Sequence, residues 1–349
     1  MSNYDQFAAA VKEISGGKNI VLLDDLGLPS VYVPINKLKN SEIISGGSEN
    51  THPAFSVEGV EKSRFLYSKY QNIIINGRAY SLSHRDPKAY VNFDQARQAC
   101  EVKGAGFHLG TLAEWAAVAL LTRKMGTMPH GNNNYGGDSA YTYEKGQESA
   151  KDNNKTGRTF TGSGPATWGH DHTQFGIQDM NGNVWEWLGG MRLNEGEIQI
   201  IPYNNAALGS ECDMSASSTL WKAIKNDGSL VAPGTAATLK YDFVSGNIQL
   251  TTGITSAQDA GRGGSYTAMT LASGVTAPEL AKALILYPDE PGKDYGGDYH
   301  WMNNSGERLP VAGGGWNTGA RAGVFRLDLN LARSNSSSDV GFRSAYVEL

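Results

Sequence analysis

Cysteine is almost missing from this chain: Cys100 and Cys212 are the only two in 349 residues, and they stand far apart. That scarcity excludes a disulfide framework and a zinc site built on thiolates, and it reads both as small buried apolar residues. Long apolar runs are missing as well. No stretch of about 18 apolar residues occurs, which is what a membrane-spanning helix requires. The N-terminal MSNYDQFAAAVKEISGG lacks the basic and apolar regions of a secretory signal. The expectation is a chain with no membrane insertion and no export device of its own. Positive charge is short too: 30 Lys and Arg stand against 35 Asp and Glu, for a net charge of -5. With no basic stripe to displace phosphate counterions, a nucleic-acid partner is excluded.

What is present is glycine, 43 residues of it, with 40% hydrophobic content. This suits a loop-rich globular chain long enough to bury a sizeable core. Residues 4 to 15 read as a short amphipathic helix ended by Gly16-Gly17, with Phe7, Val11 and Ile14 on one face. Two β-branched runs follow, Asn19–Leu23 and Ser30–Ile35, so residues 1–50 form a small N-terminal module, with Ser45–Ala54 as a linker. From Phe55 the pattern becomes denser. Two strands lead to an Asn76-Gly77 hairpin, and capping boxes at Asn92/Gln95 and Thr111/Glu114 open two helices. Antiparallel strands with two helices give an α+β domain over residues 55–349. Residues 126 to 175 read as long ordered loops. Between Gly189 and Gly264 one hairpin is expected, around Ser245-Gly246, and Thr276 should cap a last helix through about Tyr287.

The C-terminal stretch from Val311 to Leu349 alternates two kinds of residue. Gly313, Gly314, Trp316, Gly323, Phe325, Leu327, Leu329, Gly341 and Phe342 suit strands and tight turns. Between them stand Gly315, Thr318, Arg321, Arg326, Asp328, Leu331, Ser337 and Asp339, whose chemistry follows no pattern. In a strand over VFRLDLNLA, Leu327 and Leu329 point to one side and Arg326 and Asp328 to the other. An ordinary amphipathic strand would look the same.

Other candidates carry less. His170-Asp171-His172 can place two imidazoles on one side of a strand, but no third ligand is apparent, so no metal is assigned. Asn132–Asn134, Asp138 and Asn181–Asn183 could offer oxygens to Ca²⁺, yet their spacing matches no cage and Asx turns account for them. Glu114 and Glu186 could be an acid/base pair, but Glu114 already serves its capping box and nothing puts the two together. No catalytic residue and no cofactor is assigned.

Three stretches together carry a resemblance: GFHLGTLAEWAAVA (Gly106–Ala119), GIQDMNGNVWEW (Gly176–Trp187) and GGGW…GFR (Gly313–Arg343). They resemble the formylglycine-generating-enzyme-type variant of the C-type lectin fold, over about residues 55 to 349. The middle motif is specific. Within that superfamily, residues 311–347 resemble the variable region of proteins diversified by retroelements, in which miscopied template adenines turn Asn AAC codons into others. Gly, Thr, Arg, Asp, Leu and Ser can all be reached from AAC through its first two bases. Val311–Val347 contains no Lys, Met, Gln or Glu, which cannot.

The resemblance implies that the eight intervening residues form one exposed ligand-binding patch, with Trp185 and Trp187 in the core and Trp316 either core or supporting aromatic. It implies a receptor-binding determinant at a phage tail-fibre tip, made in a bacterial cytoplasm, trimeric, with a host cell-surface protein or glycan as partner. A bacterial surface adhesin of the same fold is the alternative. The oxidase reading fails at its chemistry: the enzymes of the superfamily use a cysteine pair in the C-terminal core region, and Gly313 to Phe342 has none.

Overall fold

Capping chemistry sets the helices of the computed structural model, which describes residues 3–349. Helix α1 (Asn3–Ile14) ends before Gly16 and Gly17, whose φ values of 60° and 82° suit glycine. None of its residues is buried. Helix α2 (Phe93–Glu101) starts at the Asn92/Gln95 capping box and α3 (Leu112–Met125) at Thr111/Glu114, where each side chain accepts from the other's backbone N–H. Gly126, at φ 70°, closes α3. Helix α3 is apolar on nearly every side from Leu112 to Leu120, and those residues are buried. Such a helix belongs inside a core.

Two sheets enclose it. The first runs β1 (Ile20–Leu23), β2 (Pro29–Asn36), β3 (Arg64–Ser68), β15 (Ser344–Tyr346), β4 (Phe107–Leu109), with β15 paired between β3 and β4. The strands of the first fifty residues thus continue a sheet that the C-terminus completes. Lys69 and Lys103 fasten them: the Lys69 ammonium donates to Asn19 Oδ1 at 2.8 Å, and that of Lys103 to the Tyr32 hydroxyl at 3.0 Å. Burial lowers the Lys69 pKa to about 8. Ser45–Ala54, expected as a linker, is held down: Ser48 donates from its backbone N–H and hydroxyl to Glu279, and fully buried His52 contacts the Ala283 carbonyl through Nε2.

The second sheet has 13 strands. Its main path runs β10 (Arg262–Ser265), β11 (Tyr299–Met302), β13 (Gly323–Leu331), β12 (Glu307–Gly313), β6 (Met191–Asn194), β7 (Glu197–Ile200), β8 (Lys240–Val244), β9 (Asn247–Thr251). Two shorter strands, β5 (Trp185–Trp187) and β14 (Val340–Phe342), pair with each other in parallel, and β5 also pairs with β12. The β6–β7 hairpin was not expected. Its turn is Glu195-Gly196, both at positive φ, so the backbone of an Asn-Gly turn is made here by Glu-Gly. The helix expected from Thr276 shrinks to Glu279–Ala283, because Thr276 gives its hydroxyl and N–H to Asn226 instead of capping.

The motifs meet at one buried hub. Arg343, fully buried, donates from Nε and Nη2 to the Glu186 carboxylate at 2.8 and 2.7 Å, and also to the carbonyls of Ser68, Lys69 and Gln178. The Gln71 amide donates to the Val184 carbonyl and to Glu186 Oε1. A charge-assisted fork with every donor engaged locks β5, β14 and β3 together.

Candidate ligand-binding face

Strand β13 carries the core on one side and the candidate site on the other. Phe325, Leu327 and Leu329 are buried among apolar residues of the main core, and the Trp115 indole N–H of α3 donates to the Val324 carbonyl at 2.7 Å. The strand is therefore fixed from within. Arg326, Asp328 and Asn330 alternate to the other face.

There β13 pairs in parallel with β11, which places Trp301 opposite Asp328. The Arg326 guanidinium lies 5.1 Å from the ring centre of Trp185, 5.9 Å from Tyr299 and 6.0 Å from Trp301. Arg321 stacks on the same Tyr299 at 4.9 Å. Tyr299 and Trp301 escaped the sequence reading; the period-two pattern of YHWM was the only local signal, and four residues are too few to single it out. Arg326 is 6% exposed, and its Nε and Nη1 have no hydrogen-bond partner among the described residues. Burial pulls its pKa below the usual arginine range against the raising effect of Asp328 and Asp298. Burial raises Asp328, which Arg326 partly offsets.

The other expected positions join this core of the site through contacts. Thr318 accepts the Gly315 N–H at 2.9 Å through its hydroxyl. A Cβ on Gly315 would stand 3.3 Å from the Trp185 indole and 3.5 Å from the Asp339 Cβ. Ser337 hydrogen-bonds to Asp339 Oδ1. Seven of the eight positions are thus linked, while Leu331 lies apart: it faces Leu309 across the β12–β13 pairing and packs on a second apolar cluster.

The expectation of one exposed patch needs correction in that respect. Gly315 is buried under Trp185, Arg326 is buried among three rings, Leu331 is half-buried, and of the eight only Arg321 is exposed. The reason is the neighbouring strands: β5 and β11 bring bulky aromatics over positions that the sequence of β13 alone leaves open. Trp316, 5% exposed, is a brace, donating from its indole to Asp152 and accepting the Tyr135 N–H on its carbonyl. Trp187 is fully buried against Phe93, whereas Trp185 sits at the boundary of core and site.

The remaining candidates serve structure. His170 accepts the Ile177 N–H at Nδ1, and burial lowers its pKa to about 4. His172 contacts the Met128 carbonyl. Among the described residues no group of three or more His, Cys, Asp or Glu could hold a metal. Asn132, Asn133, Asn183 and Asp138 spend their side chains on loop N–H groups and on one another. Glu114 binds His108 and Asn204, and Glu186 binds Arg343, so the two carboxylates belong to different networks. Cys100 and Cys212 are buried, which raises both thiols, Cys212 to about 11. Neither is near a thiolate at neutral pH. No described helix is long and apolar enough to cross a membrane.

No curated protein matches the chain. Similar solved structures include Treponema denticola variable protein 1, 14% identical with a TM-score of 0.35, over 94% of this chain and 98% of that one. The P3c and U1 variants of the Major Tropism Determinant are 10% and 12% identical, with TM-scores of 0.33 and 0.32, each over 94% of this chain and 71% of theirs. Residues 27–269 match the Sulfatase-modifying factor enzyme 1-like domain. The fold is accordingly the α+β, C-type lectin fold of the formylglycine-generating type, and the chain belongs to the Sulfatase-modifying factor enzyme 1-like domain family.

Proposed function

We propose that the outer face of β13, with Tyr299, Trp301 and Trp185 around it, is an exchangeable ligand-binding surface, and that the protein is a non-enzymatic, retroelement-diversified receptor-binding determinant. The observation that carries this reading is Arg326. A buried guanidinium with two unpaired donors is a defect in a structural element, worth about 1–3 kcal/mol for each unsatisfied group. At a recognition site it is a set of donors awaiting a partner.

The division of labour along β13 supports the reading. Residues on its inner face hold the fold, so those on the outer face can change without unfolding it. The absence of cysteine from Gly313 to Phe342 removes the oxidase chemistry while the family's fold remains. The natural setting is the tip of a phage tail fibre, with a host cell-surface protein or glycan as partner and several copies acting together, as a trimer, to multiply weak contacts. A bacterial surface adhesin is the second setting.

Sequencing the surroundings of the gene in related isolates tests this. A near-identical repeat that differs from the codons of Val311–Val347 only at adenines, beside a reverse-transcriptase gene, is the expected result. A repeat with differences spread over all four bases, or none at all, would sink the diversification reading. Tail genes nearby point to a virion and secretion genes to a cell surface.

A further inference from the structure

The chemistry of the proposed face also names a class of ligand; this step rests on that face being the binding surface. Arg321 and Arg326 both lie against the Tyr299 ring, at 4.9 and 5.9 Å. Neither forms an ion pair among the described residues, although Arg333 and Arg343 on the same C-terminal stretch both do. Two neighbouring guanidiniums without a direct ion pair among the described residues, one of them 6% exposed with unfilled donors, make a site for an anionic group.

The surroundings narrow the anion. Trp301 lies over glycine: a Cβ on Gly261 or Gly263 would come within 2.5 or 2.2 Å of its indole. The two glycines let the ring settle onto the sheet beside Arg326. Asp328 and Asp339 border the same place, Asp328 acting electrostatically on both Arg326 and Asp339, and each has one carboxylate oxygen engaged, by the Asn330 N–H and the Ser337 hydroxyl, while the second accepts no hydrogen bond among the described residues. These carboxylates repel a bare polyanion such as a sulfate or phosphate polymer. They serve a ligand that carries hydroxyl donors beside its charge. Flat aromatic rings complete the set, since they suit the C–H face of a sugar ring.

We propose that this face recognises an acidic sugar, a pyranose bearing a carboxylate of the uronic acid kind. Its carboxylate pairs with Arg321 and Arg326, its hydroxyls donate to Asp328 and Asp339, and its ring lies against Tyr299 and Trp301.

The test measures the full-length protein by biolayer interferometry on surfaces displaying glucuronic acid, glucose or 6-sulfated glucose at equal density. Glucuronic acid is expected to bind about ten-fold more strongly than either other sugar. Arg321→Ala and Arg326→Ala should each lower that binding about ten-fold or more. Arg326→Lys should not restore it, because an ammonium lacks the planar fork. Arg321 is exposed, so its variant keeps the fold, which circular dichroism verifies. Equal responses on glucuronic acid and glucose, a sulfate response as strong as the carboxylate one, no glucuronic acid binding, or an unaffected Arg321→Ala each overturn the proposal. The same variants are tested on cells that bind the wild-type protein. If Arg321→Ala loses the cells while glucuronic acid gives no response, the binding face stands and the sugar assignment falls.

Discussion

Arg343 and Arg326 are both buried arginines of the C-terminal strands, and the protein treats them in opposite ways. Arg343 has its donors filled by Glu186 and three backbone carbonyls. Arg326 keeps two nitrogens unfilled among aromatic rings, with no ion pair among the described residues. Burial alone therefore does not separate scaffold from site. Hydrogen bonding sets these two arginines apart: Arg343 is fully paired within the scaffold, whereas Arg326, in the proposed binding face, keeps two donors without a partner among the described residues.

The contrast can be broken by substitution. Arg343→Ala leaves the buried Glu186 carboxylate without its cationic partner, with only the Gln71 amide donating to it, and is expected to lose ~3–5 kcal/mol in urea denaturation; a loss under ~1 kcal/mol would remove Arg343 from the scaffold.

Asp179 sharpens the scaffold side through pH. Burial raises its pKa from 3.8 to about 6, with the Gly162 N–H and Arg343 opposing that shift. The folded state thus holds the proton more tightly than the unfolded one, so this group's contribution is full below pH 3.8 and is lost as pH rises through about 6. Between those values Asp179→Asn should remove a decline of up to ~3 kcal/mol from the wild-type stability profile. Identical slopes for the two proteins would contradict it.

Smaller effects follow. Thr111→Ala removes the cap of α3, and a loss of ~1 kcal/mol is expected by thermal unfolding. Arg326→Leu should leave stability within ~0.5 kcal/mol of wild type or raise it, because an unpaired buried charge is replaced by an apolar side chain. A loss of ~2 kcal/mol or more in the same measurement would make Arg326 a second Arg343 and end the comparison.

Much of the scaffold was legible in the sequence because its signals are local. Asn92/Gln95 and Thr111/Glu114 announce two helices within four residues each, and the alternation of Arg326, Leu327, Asp328 and Leu329 announces the two faces of β13. The candidate site was legible only as a list of positions. Its walls come from β5 and β11, and the parallel pairing of Trp301 with Asp328 leaves no trace in the sequence of either strand. For the same reason the burial of Arg326 could not be read: exposure is decided by the rings that neighbouring strands bring. Leu331, grouped with the others by its place in the chain, separates from them where the β12–β13 register shifts between Leu309 and Val311. Thr276 shows the converse, a capping signature diverted by a distant partner, Asn226.

Gly315 carries a consequence for how such a face could vary. Its hydrogen leaves the Trp185 indole in place at 3.3 Å from where a side chain would begin, and that indole in turn bounds Arg326. Any larger residue at 315 shifts the indole and with it the arginine. Under exchange the positions would then not act as independent letters: a change at 315 rewrites what 326 can touch, so the repertoire of shapes is set by combinations and cannot be obtained by adding single-residue preferences.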